Sequence, residues 1–264
     1  MQLDRQWIQD KEYAMIEQTR GEIEYYYDSH PTEEDLMGES WLHAELVHYL
    51  VEVLKWLFRD QQCAIYENFN FYQTRDEYEK PLAPDIAVIR GVAYGPVRSW
   101  RIGVHGPGPH VVFEVASEET WKRDLEEKPY RYAHMGVREY FAYDPNLPPV
   151  WRNQPYQLCG WQLDEEAGLM RKMVSGPDGR LWSQQLDSLL VPRGSKLCLY
   201  DRSWRVRPTR AEAEAEAKKA AIRLAEAEAE ARKRAMRLAE AEAEKARRMA
   251  ERLRSLGIDP DQLI

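Results

Sequence analysis

The fold is decided by Ala83-Pro84-Asp85-Ile86-Ala87-Val88-Ile89 and by His110-Val111-Val112-Phe113-Glu114-Val115-Ala116-Ser117. Both segments have the β-branched and aromatic density of buried strands, and Pro, Gly and Ser bound them. Each segment carries one acid, Asp85 in the first and Glu114 in the second. A carboxylate in a strand-lined interior is unfavourable unless a cation, a metal or hydrogen bonds compensate it. Two such acids on neighbouring strands predict a shared ligand, and a hard divalent metal with oxygen ligands is the candidate.

The residues after Glu114 predict a strand, helix, strand unit. Ser117 with an acid three residues later is typical of a helix start. Pro129 either interrupts that helix or begins a second one, and Gly136 ends the helical stretch. The sequence Val-Arg-Glu-Tyr-Phe-Ala-Tyr at 137–143 makes another strand. Strands bracketed by helices indicate an α/β fold with a mixed sheet.

Before this unit the chain predicts a helix and a strand. Apolar residues recur at three- and four-residue steps from Gly38 to Phe58, as in an amphipathic helix, and Ser40 is a suitable N-cap. Residues 63–72 alternate between apolar and polar side chains and predict one strand. The polar residues of the helix are either solvated charges or include one that faces the acids; they are Glu39, His43, Glu45 and Glu52.

Three parts follow from the pattern along the chain. Residues 1–35 are a lead-in segment, whose tyrosine-rich stretch at 22–28 is typical of surface packing. Residues 36–207 form the α/β domain, including a β-rich appendage rich in Trp, Gly and Pro from residue 148 onward. Residues 208–264 form a charged helical tail.

The tail is built from an internal repeat. Arg-Leu-Ala-Glu-Ala-Glu-Ala-Glu at 223–230 returns 14 residues later at 237–244, and 14 residues are two heptads. Ala, Glu, Arg and Leu are strong helix formers, so a long helix is predicted. Large apolar residues are few, which leaves two alternatives: a weak coiled coil that would form a homodimer, or a lone solvated helix.

Charge and composition limit the function. The net charge is −8, and the tail between Ala211 and Arg254 has 12 Lys and Arg against 10 Glu, so the rest of the chain is strongly acidic. A nucleic-acid partner would therefore need a local basic patch. The candidates for this patch are Arg98, Arg101, Lys122 and Arg123.

The cysteines and the apolar segments suggest a location. The three cysteines show no CxxC spacing, so neither a disulfide framework nor a zinc site is predicted, and a reducing compartment fits. No apolar run is long enough to span a bilayer, and the first residues lack the pattern of a signal peptide. We expect a cytoplasmic protein without a membrane partner.

The acids suggest a reaction class. Hydrolysis of a phosphodiester needs a metal that neutralises the scissile phosphate and activates water, and two adjacent carboxylates are a minimal ligand set. A Lys nearby can stabilise developing negative charge. The order of these parts resembles that of the PD-(D/E)XK nucleases, which implies a Lys two residues after Glu114. Position 116 is Ala here, and the resemblance implies Lys128 on the following helix as the candidate. The alternative for Lys128 is a plain surface ion pair with Asp124, one helical turn before it.

Five ordered motifs carry a family resemblance. Pro84-Asp85-Ile86-Ala87-Val88, then Glu114-Val115-Ala116-Ser117, then Asp124 with Lys128 and Tyr132, then Gly136-Val137 with Glu139-Tyr140, and Asp144-Pro145 together resemble the Uma-two family of restriction endonucleases, within the PD-(D/E)XK superfamily. The resemblance covers about residues 30 to 200. Phe141 stands where the family usually has a Trp, and the helical tail lies outside the family domain.

The resemblance implies a restriction-endonuclease-like fold, with Mg²⁺ or Mn²⁺ at Asp85 and Glu114 and a shifted catalytic Lys128. His43 falls where the family often has a His on its first helix. We therefore expect a metal-dependent endonuclease that hydrolyses phosphodiester bonds of nucleic acid, with DNA as the expected partner. The alternative from another class is a non-catalytic scaffold that keeps the fold and binds partners through its helical tail.

Overall fold

A computed structural model describes residues 24–30 and 40–257. The chain divides into two compact units, Met1–Thr209, here called the body, and Arg210–Ile264, here called the tail. No helix in the described part of the chain combines the length and the apolar character that crossing a bilayer requires.

Up to residue 138 the described part of the body contains both helices and strands, and from residue 139 to residue 200 its regular elements are strands. The helices are α1 (Tyr26–Ser29), α2 (Trp41–Leu57), α3 (Trp121–Glu126), α4 (Lys128–His134) and α5 (Arg210–Ser255). The strands are β1 (Cys63–Glu67), β2 (Phe71–Tyr72), β3 (Ile86–Arg90), β4 (Trp100–Arg101), β5 (Val111–Val115), β6 (Glu139–Tyr143), β7 (Leu158–Asp164), β8 (Leu169–Lys172), β9 (Leu181–Ser183), β10 (Ser188–Arg193) and β11 (Lys196–Tyr200).

The main sheet has six strands in the order β1-β3-β5-β6-β7-β8. The pair β5–β6 is parallel, and the other neighbouring pairs are antiparallel. Helices α3 and α4 lie in the connection from β5 to β6, because a parallel pair needs a crossover rather than a tight turn. The predicted α/β mixed sheet flanked by helices, followed by a β-rich part and a long helix, is confirmed.

Two details of the predicted sheet differ. Strands β7 and β8 continue the main sheet instead of belonging to an appendage, so the separate β-rich sheet is β11-β10-β9 alone. The single strand predicted over residues 63–72 is broken at Asn68, whose φ of 46° leaves the extended region. Strand β2 therefore pairs with β4 in a small parallel sheet of its own.

Both faces of the main sheet are covered. Along β5 the side chains of Val111, Phe113 and Val115 pack with those of α2 on one face, and Val112 belongs to the core that contains Tyr132 of α4 on the other. Burying each large apolar side chain contributes about 1.5–3 kcal/mol. By the alternation of the strand, Glu114 shares the face of Val112 and α4.

Helix α2 confirms the amphipathic pattern. Ser40 caps it by accepting a hydrogen bond from the backbone N–H of His43 at 3.2 Å. Its buried face packs into the core and consists of Leu46, Val47, Leu50, Val51, Val53 and Leu54. Glu39 lies outside the described residues.

The helix predicted from Ser117 begins later. The Ser117 hydroxyl accepts hydrogen bonds from the backbone N–H groups of Glu119 and Thr120, which forms a turn, and α3 starts only at Trp121. Pro129 lies in the first turn of α4, so it begins the second helix. Gly136 follows that helix with a φ of +73°, a conformation that glycine adopts without strain.

The tyrosine-rich stretch is not only surface packing. Tyr25 is 1% exposed and stacks on Tyr72 with ring centroids 3.6 Å apart. Asp28 accepts hydrogen bonds from Asn70, Tyr72 and Ser99. Residues 24–30 therefore pack on the sheet formed by β2 and β4, because their acid and ring match polar and aromatic groups there.

The tail, taken by itself, is the predicted long helix. Helix α5 has 46 residues and buries none of its side chains among the described residues. Its surface carries ion pairs one turn apart, such as Arg210 with Glu214 at 2.7 Å and Arg248 with Glu244. A coiled coil stays a prediction.

Candidate active site

The two acids singled out by the sequence come together where β3 begins and β5 ends. The antiparallel register places Ile86 opposite Phe113, so its continuation places Asp85 opposite Glu114. Asp85 Oδ2 accepts a hydrogen bond from the backbone N–H of Val115 at 2.6 Å. The side chain of Asp85 is thereby fixed beside the strand that carries Glu114.

Glu114 is buried, with 3% of its surface exposed. Its Oε1 lies 2.8 Å from the Nζ of Lys128 and also accepts a hydrogen bond from the hydroxyl of Tyr132. Both partners lie on α4, which packs on the face of β5 that Glu114 shares. The crossover helix therefore delivers the amine that the strand lacks at position 116.

Lys128 binds a second acid. Its Nζ lies 2.8 Å from Oδ1 of Asp124, which is 1% exposed, and the hydroxyl of Thr120 donates to Oδ2 of Asp124 at 3.0 Å. The alternative of a plain surface ion pair is therefore wrong: the pair is buried, and Lys128 bridges Asp124 and Glu114. Its i,i+4 spacing indicated the pair but not its burial, and Asp124 was missing from the predicted site.

His43 faces the site from α2. Its Nε2 lies 3.2 Å from Oδ1 of Asp85, and its side chain is 11% exposed. Two polar residues of α2 are solvated charges: Glu45 is exposed, and Glu52 pairs with Lys55 at 3.5 Å. His43 is the polar residue of this helix that faces the acids, because its ring turns inward where α2 passes the start of β3.

The site holds three acids, Asp85, Glu114 and Asp124, around the single amine of Lys128. Burial raises the pKa of Glu114 from 4.5 to about 8; Lys128 acts against this change, and the charges of Asp85 and Asp124 add to it. Burial also raises the pKa of Asp124, again against the effect of Lys128. The pKa of Lys128 is lowered by burial but raised more strongly by Glu114, Asp124 and Asp85, so the amine stays charged. The surplus of acid is the main electrostatic feature of this end of the sheet.

Two buried tyrosines support the cluster. Burial, and next the charge of Glu114, raise the pKa of Tyr132 and of Tyr140 well above the ordinary value. Both hydroxyls therefore remain protonated donors. Tyr132 donates to Glu114, and Tyr140 donates to the backbone carbonyl of Asp124 at 2.8 Å.

The four residues of the predicted basic patch lie in a loop, on a strand and on a helix. Arg98 is exposed and lies 3.8 Å from Glu24, while Arg101 on β4 is 9% exposed and bonds to Tyr25. Lys122 and Arg123 lie on α3, close in sequence to Asp124. The basic patch stays a prediction.

The site offers two carboxylates as ligands for an ion such as Mg²⁺, those of Asp85 and Glu114. Within residues 24–30 and 40–257, no group of three or more His, Cys, Asp or Glu side chains has the arrangement of a complete metal site. Magnesium is commonly bound by one or two carboxylates and completes its shell with water and substrate phosphates. Asp85 and Glu114 offer such a pair, and a cation beside them would favour the ionised form of both carboxyl groups.

Comparison with known proteins identifies a family and a similar solved structure. The model of the Uma2 family, described as "Putative restriction endonuclease", matches residues 10–169, more than half of the chain. No curated protein matches the chain. Among solved structures, the chain is similar to one described as "a putative nuclease belonging to DUF820" from Anabaena variabilis ATCC 29413, with 12% identity, a TM-score of 0.41, and coverage of 57% of this chain and 75% of that chain.

Proposed function

Since the chain belongs to the Uma2 family, we propose that its body is a metal-dependent endonuclease that hydrolyses phosphodiester bonds of nucleic acid, with DNA as the substrate. The observation that carries the proposal is the position of the Lys128 amine, 2.8 Å from Glu114 beside Asp85. An amine and two acids at adjoining strand ends supply the groups that phosphodiester hydrolysis requires.

Asp85 and Glu114 would hold the cation, which is Mg²⁺ or Mn²⁺. When bound there, the ion supplies charge neutralisation at the scissile phosphate and a lowered pKa for an attacking water. The chain's own groups prepare this pair. Val115 fixes Asp85 through its backbone N–H, and Tyr132 holds Glu114 through its hydroxyl.

Lys128 has two tasks in this proposal. Its amine balances part of the acidic charge before substrate arrives, and it remains charged because three carboxylates surround it. The amine then stabilises negative charge that develops on the phosphate. Asp124 positions the amine from the other side at 2.8 Å.

His43 acts through Asp85 in this proposal, since its Nε2 lies 3.2 Å from the acid. It would fix the orientation of the carboxylate that holds the ion. Positioning by an outer partner of this kind is commonly worth about 10–100-fold in metal affinity or activity. Phosphates of the substrate would be met by Lys122 and Arg123 of α3 and by Arg98, whereas Arg101 is buried and would act only through its charge.

The test is incubation of the full chain with plasmid DNA, single-stranded DNA and RNA in Mg²⁺ or Mn²⁺. We expect cleavage of DNA that is abolished by EDTA and reduced by about 10³-fold in Asp85→Ala and Glu114→Ala, since a lost metal site costs several kcal/mol of transition-state stabilisation. Glu139→Gln is the matched control, because Glu139 is a buried glutamate of the neighbouring strand that contacts none of these groups. Cleavage that persists unchanged in both alanine variants would exclude the site.

The exposed apolar residues of the tail support a second, separate proposal, self-association through α5. Ile222, Leu224, Met236 and Leu238 are 50–66% exposed and recur with the 14-residue repeat. Apolar residues at heptad spacing favour pairing of two helices. We expect the full chain to sediment as a dimer and the double variant Leu224→Glu, Leu238→Glu to sediment as a monomer. A monomeric unmodified chain would refute the dimer.

A further inference from the structure

A second polar site lies at the opposite end of β5. A cavity of about 560 Å³ opens there, and its size is in the range of pockets that bind small ligands. Its polar lining residues are Gln61, Gln62, Arg90, His110, Arg138 and Gln185. His110 precedes Glu114 by four residues, which is about 13 Å along an extended strand. The cavity is therefore separate from the acid cluster.

The charge of this cavity is opposite to that of the body. In the part of the chain that the structure describes, no Asp or Glu lines it, although the net charge of the whole chain is −8. Glu139, which follows Arg138, directs its carboxylate to Ser183 and to the backbone N–H groups of Gln184 and Gln185. Two guanidinium groups thus share an open cavity whose lining offers no carboxylate to neutralise them.

The sheet holds these groups in place. Arg90 is the last residue of β3, and His110 and Arg138 directly precede the parallel strands β5 and β6. All three residues therefore lie at the same end of these three strands. His110 is anchored through its backbone, which donates to Val88 at 2.8 Å and accepts from Glu139 at 3.0 Å. A guanidinium N–H of Arg90 donates to the carbonyl of Gln185 at 3.1 Å. Arg90 and His110 are therefore held in place before a ligand binds.

His110 is set as a hydrogen-bond donor. Its Nδ1 accepts the backbone N–H of Arg90 at 3.2 Å, so the neutral ring carries its proton on Nε2. Burial lowers the pKa of His110, and the charges of Arg138 and Arg90 lower it further. The ring is therefore a neutral N–H donor beside two cations, and three glutamine residues complete the polar lining.

We propose that this cavity binds a phosphate group, supplied either by a nucleic-acid backbone or by a free phosphate ester. Guanidinium groups match the geometry of phosphate oxygens and bind them with charge-assisted hydrogen bonds. Arg138 is the exposed residue that meets the ligand first, and Arg90 and His110 form the fixed inner wall. The site does not require nuclease activity.

The experiment compares Arg138→Gln with Arg152→Gln in the full chain. Both residues are exposed arginines, and Arg152 does not line the cavity, so the two variants change the net charge equally. Inorganic phosphate and adenosine 5′-monophosphate are titrated by calorimetry. A fluorescent DNA duplex is titrated by anisotropy at several salt concentrations. All titrations contain EDTA, so cleavage plays no part and a failure of the proposed nuclease activity leaves the result unaffected.

The two sources of phosphate give different results. If the ligand is a free phosphate ester, Arg138→Gln weakens phosphate and adenosine monophosphate binding about tenfold and leaves DNA binding equal to that of Arg152→Gln. If it is a nucleic-acid backbone, Arg138→Gln weakens DNA binding and lowers the salt slope by about one relative to Arg152→Gln. Equal behaviour of the two variants toward all three probes overturns the proposal.

Discussion

The two ends of the parallel pair β5–β6 each bury a glutamate, and their surroundings differ. At one end Glu114 lies among other ionisable groups, with Lys128 at 2.8 Å and Asp85 and Asp124 close enough to raise its pKa. At the other end Glu139 is 1% exposed and accepts hydrogen bonds from the hydroxyl of Ser183 at 2.5 Å and from the backbone N–H of Gln184 at 2.8 Å.

The comparison separates two reasons for burying an acid. Burial raises the pKa of Glu139, but neutral donors from one loop act against this and leave no polar group in need of a ligand. Glu139 thereby joins the main sheet to the β9–β11 sheet. At the Glu114 end three acids face one amine, and burial together with the charges of Asp85 and Asp124 raises the pKa of Glu114, so all three acids ionise together only when a further cation is bound. A buried acid indicates a ligand site when its neighbours are ionisable and the charges of the ionised cluster would not sum to zero.

The largest expected effect comes from removing the single amine at the Glu114 end. Lys128→Met should lower the free energy of unfolding by about 4 kcal/mol, because it leaves buried acids without their cation. Urea denaturation in EDTA measures this loss. Adding Asp124→Asn to Lys128→Met should recover part of it, since one of the facing charges is gone. A Lys128→Met protein as stable as the unmodified chain would show that the cluster is not coupled by charge.

At the other end the expected effect is structural only. Glu139→Ala should lower the free energy of unfolding by about 3 kcal/mol, because it leaves the Ser183 hydroxyl and two backbone N–H groups without their acceptor. The folded fraction of this variant should cleave DNA at the unmodified rate, whereas Glu114→Gln should be no less stable than the unmodified chain and inactive. If Glu139→Ala lost activity per folded molecule, the division between the two ends would fail.

The sequence predicts one end of this comparison better than the other. Asp85 and Glu114 were recognisable because an acid inside a β-branched, apolar strand is unusual. The burial of Asp124 was not predictable, since acid and lysine pairs at i,i+4 are common on exposed helices. This pair differs in its tertiary contacts, namely Tyr140 at the carbonyl of Asp124 and Glu114 at the amine of Lys128. A local sequence pattern can single out a candidate residue, but only tertiary packing determines whether that residue is buried.

Sheet membership has the same limit. Alternation at 63–72 predicted a strand but not the positive φ of Asn68 that divides it between two sheets. A β-rich part was expected from residue 148 onward, but the pairing of β7 with β6 was not, because local sequence does not specify which strand another strand pairs with. The sequence did not predict the proposed phosphate-binding cavity for a related reason. Arg90, His110 and Arg138 are far apart in sequence, and only the register of three strands brings them together.

A pH series sharpens the contrast at the Glu114 end. In EDTA, the folded chain keeps a proton on Glu114 up to a pKa of about 8, because burial raises that pKa, while the unfolded chain releases it near 4.5. The folded state therefore binds more protons than the unfolded state between these values, and stability falls as the pH rises through this window. Glu114→Gln should remove a fall on the order of 2 kcal/mol, shared with Asp124 and Lys128. Parallel curves for the variant and the unmodified chain from pH 5 to 8.5 would contradict this.

The smallest expected effect is the response to the ion itself. Magnesium at about ten times its dissociation constant should raise the free energy of unfolding by about 1 kcal/mol, because only the folded chain brings Asp85 and Glu114 together. The melting temperature should rise by about 2–4 °C. The rise should be larger at pH 8.5 than at pH 6, since protons on Glu114 compete with the ion. It should vanish in Glu114→Gln and persist in Glu139→Gln; an equal rise in both variants would place magnesium away from the acid pair and leave both buried glutamates structural.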